Sequence, residues 1–257
     1  TFMKVAENVA KTKPIVILKS GKTSSGAQAA SSHTGSLAGS DAAYDCAFER
    51  CGVVRAGSIE QLFDVATAFA YQPLPAGDRV AVVTNAGGPG IMMTDALELA
   101  GLNMAAIPHA AQEKLRAVLP PAASLKNPVD VLGDASGEVY GKTIDVLMDC
   151  EEIDSVVVIL TPQKMTDDSA VAEAIVASYR ARRKTIMACF MGAGKVEKGT
   201  RILRKNEIPH YPIPERAAAA LHETVKYARY RRRPLRYVER FAVNKNRIIK
   251  LIKSHTS

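Results

Sequence analysis

Hydrophobic positions fall along this chain in two patterns. Short continuous apolar runs at 15–18, 79–84, 155–160 and 185–191 read as strands buried on both faces, as in parallel sheets. Shorter runs at 53–55, 103–107 and 211–213 extend the set. Between them, apolar residues recur at helical spacing over 1–11, from Asp41, from Ser58, and over 91–100, 110–118, 138–150, 168–182, 196–206 and 214–230. Ser58 with Gln61 three residues on is a capping-box start. Gly101 falls where a helix C′ glycine belongs. The alternation of strand and helix predicts an α/β fold with parallel, right-handed connections.

The pattern breaks once. Tyr71-Gln72-Pro73-Leu74-Pro75-Ala76-Gly77-Asp78 reads as a linker. It separates a unit at 1–75 from a second at 76–233, and a basic tail or linker follows at 234–257. The second unit has five strands, enough for a flavodoxin-like sheet. The first has too few strands to bury both faces well. It reads as the second half of such a domain, with a sheet edge that needs cover. A first residue of Thr1, already in helical pattern, leads us to expect a fragment.

Composition narrows the class. Apolar residues make up 47% of the 257, yet aromatics only 5% with no tryptophan, so the cores are aliphatic. No apolar run is long enough to cross a bilayer. Cys46, Cys51, Cys150 and Cys189 lack CxxC spacing, and reduced thiols in a cytoplasmic protein are the simplest reading. The net charge of +8 is concentrated at 180–184, where it ends a helix, and at 229–236, which reads as a hinge. Nucleic acid is therefore disfavoured as a partner, and the field suits small polyanions. His109, His210, His222 and His255 have no metal-ligand spacing, and no metal site is expected.

Two stretches carry candidate chemistry. Residues 20–40, between the first strand and the helix from Asp41, read as a loop of small and hydroxyl residues around His33. A neutral imidazole can attack a phosphoryl group; a solvated loop histidine is the bland alternative. Asn85-Ala86-Gly87-Gly88-Pro89-Gly90 reads as a tight turn between a strand and a helix. Its backbone N–H groups and the helix dipole favour an anion, although glycines here also serve close helix–sheet packing. The spacing is not GxGxxG, so a dinucleotide is disfavoured.

SSHTGSLAGS, TNAGGPG, LPPAASLKNPVDVLGDAS and VVVILTPQKMTD, in that order, resemble the nucleoside-diphosphate-forming acyl-CoA synthetases. That family includes ADP-forming acetate–CoA ligases and is related to succinyl-CoA synthetase. The resemblance spans about residues 1–230. It implies two succinyl-CoA-synthetase-like flavodoxin domains, the first incomplete here, and an acid–thiol ligase. In such an enzyme acyl-CoA, ADP and phosphate are interconverted with acid, CoA and ATP through an acyl phosphate and a phosphohistidine on a mobile loop. By resemblance His33 is that histidine, with Gly21, Gly26, Gly35 and Gly39 as hinges or as plain turn residues. Asn85, Ala86, Gly87, Gly88 and Gly90 then bind phosphate. Asn127 and Asp130 lie near the acyl and CoA end, where Asp130 is either a polar contact or a turn cap. Thr161-Pro162-Gln163 ends a strand where such sheets place ligands.

The same resemblance implies partners: an ATP-grasp domain or subunit that brings magnesium with the nucleotide, a CoA-binding domain, and an oligomeric complete enzyme. This chain alone is expected to be inactive. The alternative is the acyl-CoA-sensing region of a protein lysine acetyltransferase, which would have no need of a nucleophile at position 33.

Overall fold

The computed structural model describes residues 2–34, 40–182 and 184–234, with the side chains of 33, 34 and 182 outside that description. The chain opens with α1 (Phe2–Ala10), β1 (Val16–Leu18), α2 (Ser24–Thr34), α3 (Asp41–Cys51), β2 (Val54–Ala56) and α4 (Ile59–Tyr71). It continues through β3 (Arg79–Thr84), α5 (Gly87–Leu99), β4 (Asn103–Met104), α6 (His109–Val118), β5 (Val129–Asp130) and α7 (Gly137–Met148). It then runs through β6 (Ser155–Leu160), α8 (Asp168–Arg182), β7 (Thr185–Phe190), a short 3-10 turn (Ala193–Val196), α9 (Glu197–Lys205), β8 (His210–Tyr211) and α10 (Pro214–Arg232).

Strands β1 and β2 pair in parallel as a two-stranded sheet, Val16 opposite Val54 and Leu18 opposite Ala56. The larger sheet has six strands, with β4, β3, β6, β7 and β8 side by side and β5 joined to β3 beyond β4. Every pairing is parallel. Leaving β5 aside, the sequence order is 2-1-3-4-5, the flavodoxin-like arrangement.

The chemistry of the strands explains the layers. Beyond Arg79, every residue of β3 is buried, as is every residue of β6 and β7. Such strands must be covered on both faces. On one face α6, α7, α8 and α9 enclose a core that includes Leu115, Ile144, Ile175 and Leu203. On the other, Met93 and Leu97 of α5 and Leu221 and Val225 of α10 meet Val80, Val82, Val157 and Ile159, together with Ala68 of α4.

The segment read as a linker is clamped. The Gln72 side-chain oxygen accepts from the Ile186 amide at 2.9 Å, and the Thr185 hydroxyl donates to the Pro73 carbonyl at 2.8 Å. Arg216 of α10 pairs with both Glu60 and Asp64 of α4. The rings of Phe69 and Tyr227 meet edge to face, 5.2 Å between centroids. Helix α4 thus belongs to the packing of the large sheet as well as to β1 and β2.

Four expectations need correction. Residues 24–34 are helical, not loop. Ala27, Ala29 and Ala30 are strong helix formers, and the Thr23 hydroxyl accepts the Gly26 amide at 3.1 Å as an N-cap. Gly87-Gly88-Pro89-Gly90 is not a turn before a helix but the first turn of α5 itself. Arg229–Arg232 is not a hinge. It is the end of α10, and Arg232 donates to the carbonyls of Pro75 and Ala76 while Arg229 pairs with Asp78. The two-residue strand β5 escapes notice because Val129-Asp130 is too short to carry a period. The basic tail beyond 234, with His255, lies outside the described residues.

The C-terminus of α5 follows expectation. Gly101 has φ +75°, its amide meets the Glu98 carbonyl at 2.9 Å, and the Leu102 amide meets Leu97, a Schellman closure.

Candidate active site

In a sheet of this order the chain leaves β3 toward β4 on one side and later returns to β6 on the other. The crevice at the carboxyl ends of β3 and β6 is the switch point where such sheets hold ligands. Here β3 ends in Thr84 and Asn85, and α5 begins immediately. Asn127, Pro128 and Asp130 arrive beside β3, with Thr84 opposite Asp130 in register.

The six positions divide by what their atoms do. Asn85 is 4% exposed, and its side chain is spent on the neighbouring strand. Its Oδ1 accepts from the Thr161 amide at 2.9 Å and hydroxyl at 3.1 Å, and its Nδ2 donates to the Thr161 carbonyl at 2.8 Å. It holds the ends of β3 and β6 together. The Ala86 amide donates to the Thr84 hydroxyl at 3.1 Å, and that hydroxyl donates on to the Ala86 carbonyl at 2.8 Å. The Gly90 amide is bonded to Ala86 at 3.2 Å. A Cβ on Gly90 would stand 3.1 Å from the Thr84 methyl and 3.6 Å from Pro128, so Gly90 is glycine for packing.

Gly87 and Gly88 are different. Both are exposed, and a Cβ on either would meet nothing within 4 Å. Packing does not require glycine at either position. As the first residues of α5 their N–H groups have no carbonyl one turn back to donate to, and Pro89 has no N–H at all. The positive end of the helix dipole is therefore presented through two bare backbone amides.

The Asn127 side chain is bonded to backbone groups of the sheet. Its Nδ2 donates to the carbonyls of Val80 at 2.7 Å and Ala105 at 3.0 Å, and its Oδ1 accepts the Val82 amide at 2.9 Å. It acts as a side-chain strand between β4 and β5. One oxygen of Asp130 accepts the Leu132 amide at 2.9 Å, the turn-capping arrangement; Leu132 has φ +71°. Thr166 and Gly133, which sequence reasoning did not single out, close the crevice: the Thr166 hydroxyl donates to Gly133 at 3.3 Å. Their only signal would have been the topology.

His33 is the next-to-last residue of α2, on the connection from β1. Its side chain, and residues 35–39, lie outside the described residues. From Ser24 to Ser32 no residue of α2 is buried. The structure thus brings the residues of the 85–90 and 127–130 stretches to one crevice, while His33 lies on α2, the helix that follows β1.

Three buried titratable groups serve the fold. Burial lowers the His210 pKa, and its Nε2 lies 3.1 Å from the Phe190 carbonyl. Burial pushes the Cys189 thiol up to about 12. Burial also raises Tyr140 far above its ordinary value, and its hydroxyl donates to Ile159. Among the described residues no three His, Cys, Asp or Glu side chains converge as a metal site. No helix among them is long and apolar enough to cross a membrane.

A parallel flavodoxin-order sheet with a bare glycine helix start at its switch point defines the class, and comparison with known proteins makes it definite. Residues 80–234 match the Ligase-CoA domain, and residues 1–69 match the succinyl-CoA ligase like flavodoxin domain. The chain belongs to the Ligase-CoA domain family. It is 42% identical over 233 residues to subunit alpha of acetate–CoA ligase [ADP-forming] II from Pyrococcus furiosus, covering 89% of this chain and 50% of that subunit. It is 42% identical over 228 residues to acetate–CoA ligase [ADP-forming] I from Archaeoglobus fulgidus, covering 89% of this chain and 32% of the relative. The solved acetyl-coenzyme A synthetase 1 of Ca. Korarchaeum cryptofilum, in complex with phosphate and ADP, superimposes with TM-score 0.85 at 35% identity over 90% of this chain and 50% of that one. The chain therefore spans between a third and a half of the length of these relatives.

Proposed function

We propose that this chain is the phosphoryl-handling part of an NDP-forming acyl-CoA synthetase of the acetate–CoA ligase type. The observation that carries the reading is the pair of glycines that packing does not require, at a helix start on the switch point of a Ligase-CoA fold. Phosphate attacks the acyl-CoA carbonyl, giving acyl phosphate and releasing CoA. An imidazole nitrogen of His33 then attacks that phosphorus, the carboxylate leaves, and a phosphoramidate forms. Transfer to ADP restores His33 and yields ATP. Splitting one transfer into two steps is the advantage of a covalent intermediate.

The chain's own groups have limited roles here. The Gly87 and Gly88 amides stabilise the phosphate charge at the head of α5. Asn85 contributes by fixing β3 against β6, and Asn127 by completing the sheet beneath. Asp130 holds the turn after β5. The ATP-grasp part, with its magnesium, and the CoA-binding domain are supplied from outside this chain, as a domain or subunit in an oligomeric enzyme in the cytoplasm. The two units of the chain are assigned to 1–75 and 76–233.

The test is the intact mass of the complete enzyme after incubation with ATP and magnesium. One phosphoryl group, lost in acid, stable in base and absent from His33→Asn, is expected. No added mass on the folded, complete enzyme would falsify the reading.

A further inference from the structure

The amino ends of β3, β6 and β7 open on a cleft at the opposite end of the sheet from Gly87 and Gly88. Arg79 begins β3, Asp154 precedes β6 and Lys184 precedes β7. All three line the cleft, which has a volume of 490 Å³. Pro73, Leu74, Met148 and Ile153 form its apolar part.

The two cations in this cleft are held differently. Arg79 Nε lies 2.8 Å from Asp154 Oδ2, and its Nη2 lies 3.0 Å from Oδ1 and donates to the Glu151 carbonyl at 2.7 Å. The Asp154 carboxylate, its side chain 4% exposed, is thereby taken by Arg79. Among the described residues no carboxylate forms an ion pair with Lys184. Its Nζ donates to the Cys150 carbonyl at 2.6 Å. A half-buried ammonium without a carboxylate on it has lost water and gained only a neutral acceptor. Burial accordingly lowers the Lys184 pKa, helped by the Arg79 charge and opposed by Asp154 and Asp149. A desolvated lysine is an activated nucleophile, because more of it is the free amine at neutral pH. A free amine that donates an N–H to a carbonyl still has its lone pair. The neighbouring thiol is the weaker candidate. Cys150 Sγ bonds back to the Val146 carbonyl of α7 at 3.1 Å, and burial raises its pKa, which leaves little thiolate.

We propose that Lys184 is a self-acylation site, which takes an activated acyl group as an amide on Nζ in this cleft. The amine lone pair attacks the acyl carbonyl and forms the C–N bond. The C–O bond of an acyl phosphate, or the C–S bond of an acyl-CoA, breaks. Phosphate or CoA thiolate leaves with that electron pair, and the proton lost from nitrogen passes to water. The Lys184 charge disappears, and the acyl chain has the apolar part of the cleft to fill. The supply of activated acyl groups rests on the function proposed above; the site itself does not, since acyl donors can be added from outside.

The test gives the complete enzyme acetyl phosphate in one arm and acetyl-CoA in the other. Peptide mass spectrometry follows acetylation at each lysine over time. By accessibility alone, the exposed Lys126 and Lys198 would be modified before the half-buried Lys184. The reverse is expected: Lys184 several-fold faster than either in at least one arm, the faster arm naming the donor. Unfolding the enzyme in guanidinium should abolish the preference. Lys184 modified no faster than Lys126 and Lys198 in both arms overturns the inference. So does a preference that survives unfolding, because the cleft then has no part in it. Neither result touches the phosphohistidine reading, which is measured separately as phosphoryl mass on His33. A folded enzyme that acetylates Lys184 but takes no phosphoryl group overturns that reading and leaves this site standing.

Discussion

The connections after β1 and after β3 are built from similar local material and do opposite things. Each follows a short apolar strand, each is rich in small residues, and each becomes a helix sooner than its glycines and serines suggest. Helix α5 buries Gly90, Met93 and Leu97 against the six-stranded sheet and is fixed to it. Helix α2 has no apolar stripe and no fully buried residue from Ser24 to Ser32. Helical propensity is enough to form both, but only burial of a face holds a helix in one place. The pair shows how one fold carries one helix fixed by a buried face and another with no fully buried residue from Ser24 to Ser32.

The largest expected effect separates the two regions outright. His33→Asn should reduce turnover by about a millionfold, the scale seen when a covalent nucleophile is removed. It should change unfolding free energy by less than about 0.5 kcal/mol, because its helix contributes no core. A clear drop in melting temperature would show that α2 is packed after all.

The second comparison lies within the α5 side. Asn127→Ala takes their side-chain partner from the Val82 amide and the Ala105 carbonyl, while the Val80 carbonyl keeps the Ala105 amide, and a buried orphan costs about 1–3 kcal/mol. Denaturant titration should show a loss of about 2–4 kcal/mol. A loss under about 0.5 kcal/mol would mean water replaces all three bonds.

The glycines sharpen the point further. Gly90→Val should destabilise by about 1–3 kcal/mol, since its Cβ is crowded by Thr84 and Pro128. Gly88→Val should leave stability nearly untouched yet weaken phosphate use, seen as a raised KM for phosphate. Equal destabilisation by both would return Gly88 to a packing role.

The smallest effect concerns His210. Its pKa is lowered by burial in the fold, so the unfolded chain binds the proton more readily. Stability from this group is full above about pH 6.5, the free histidine value, and declines as pH falls below it. Melting temperature between pH 7.5 and 5 should fall more steeply for the parent than for His210→Gln, and matching slopes would remove the assignment.

Much of this was legible in residues alone. The continuous apolar runs located β3 and β6 to the residue because strands buried on both faces need no alternation to be seen. Ser58 and Gly101 marked their helix ends because caps depend on local backbone chemistry: Ser58 accepts the Gln61 amide at 3.1 Å, and Gly101 takes a positive φ. The family motifs singled out His33 and the Gly87-Gly88 pair before any coordinates. What the sequence could not assign was the work of each polar side chain. Asn85 stands in the motif of the glycines and Asn127 in the next one, yet both are spent on backbone groups 20 to 80 residues away, and the linker and basic helix end proved to be one clamp. Those partners are distant in the chain and meet only when parallel strands are laid side by side. Local pattern therefore determined the elements and the chemistry on offer, and tertiary pairing decided which polar groups are consumed by the fold and which backbone amides are left for a ligand.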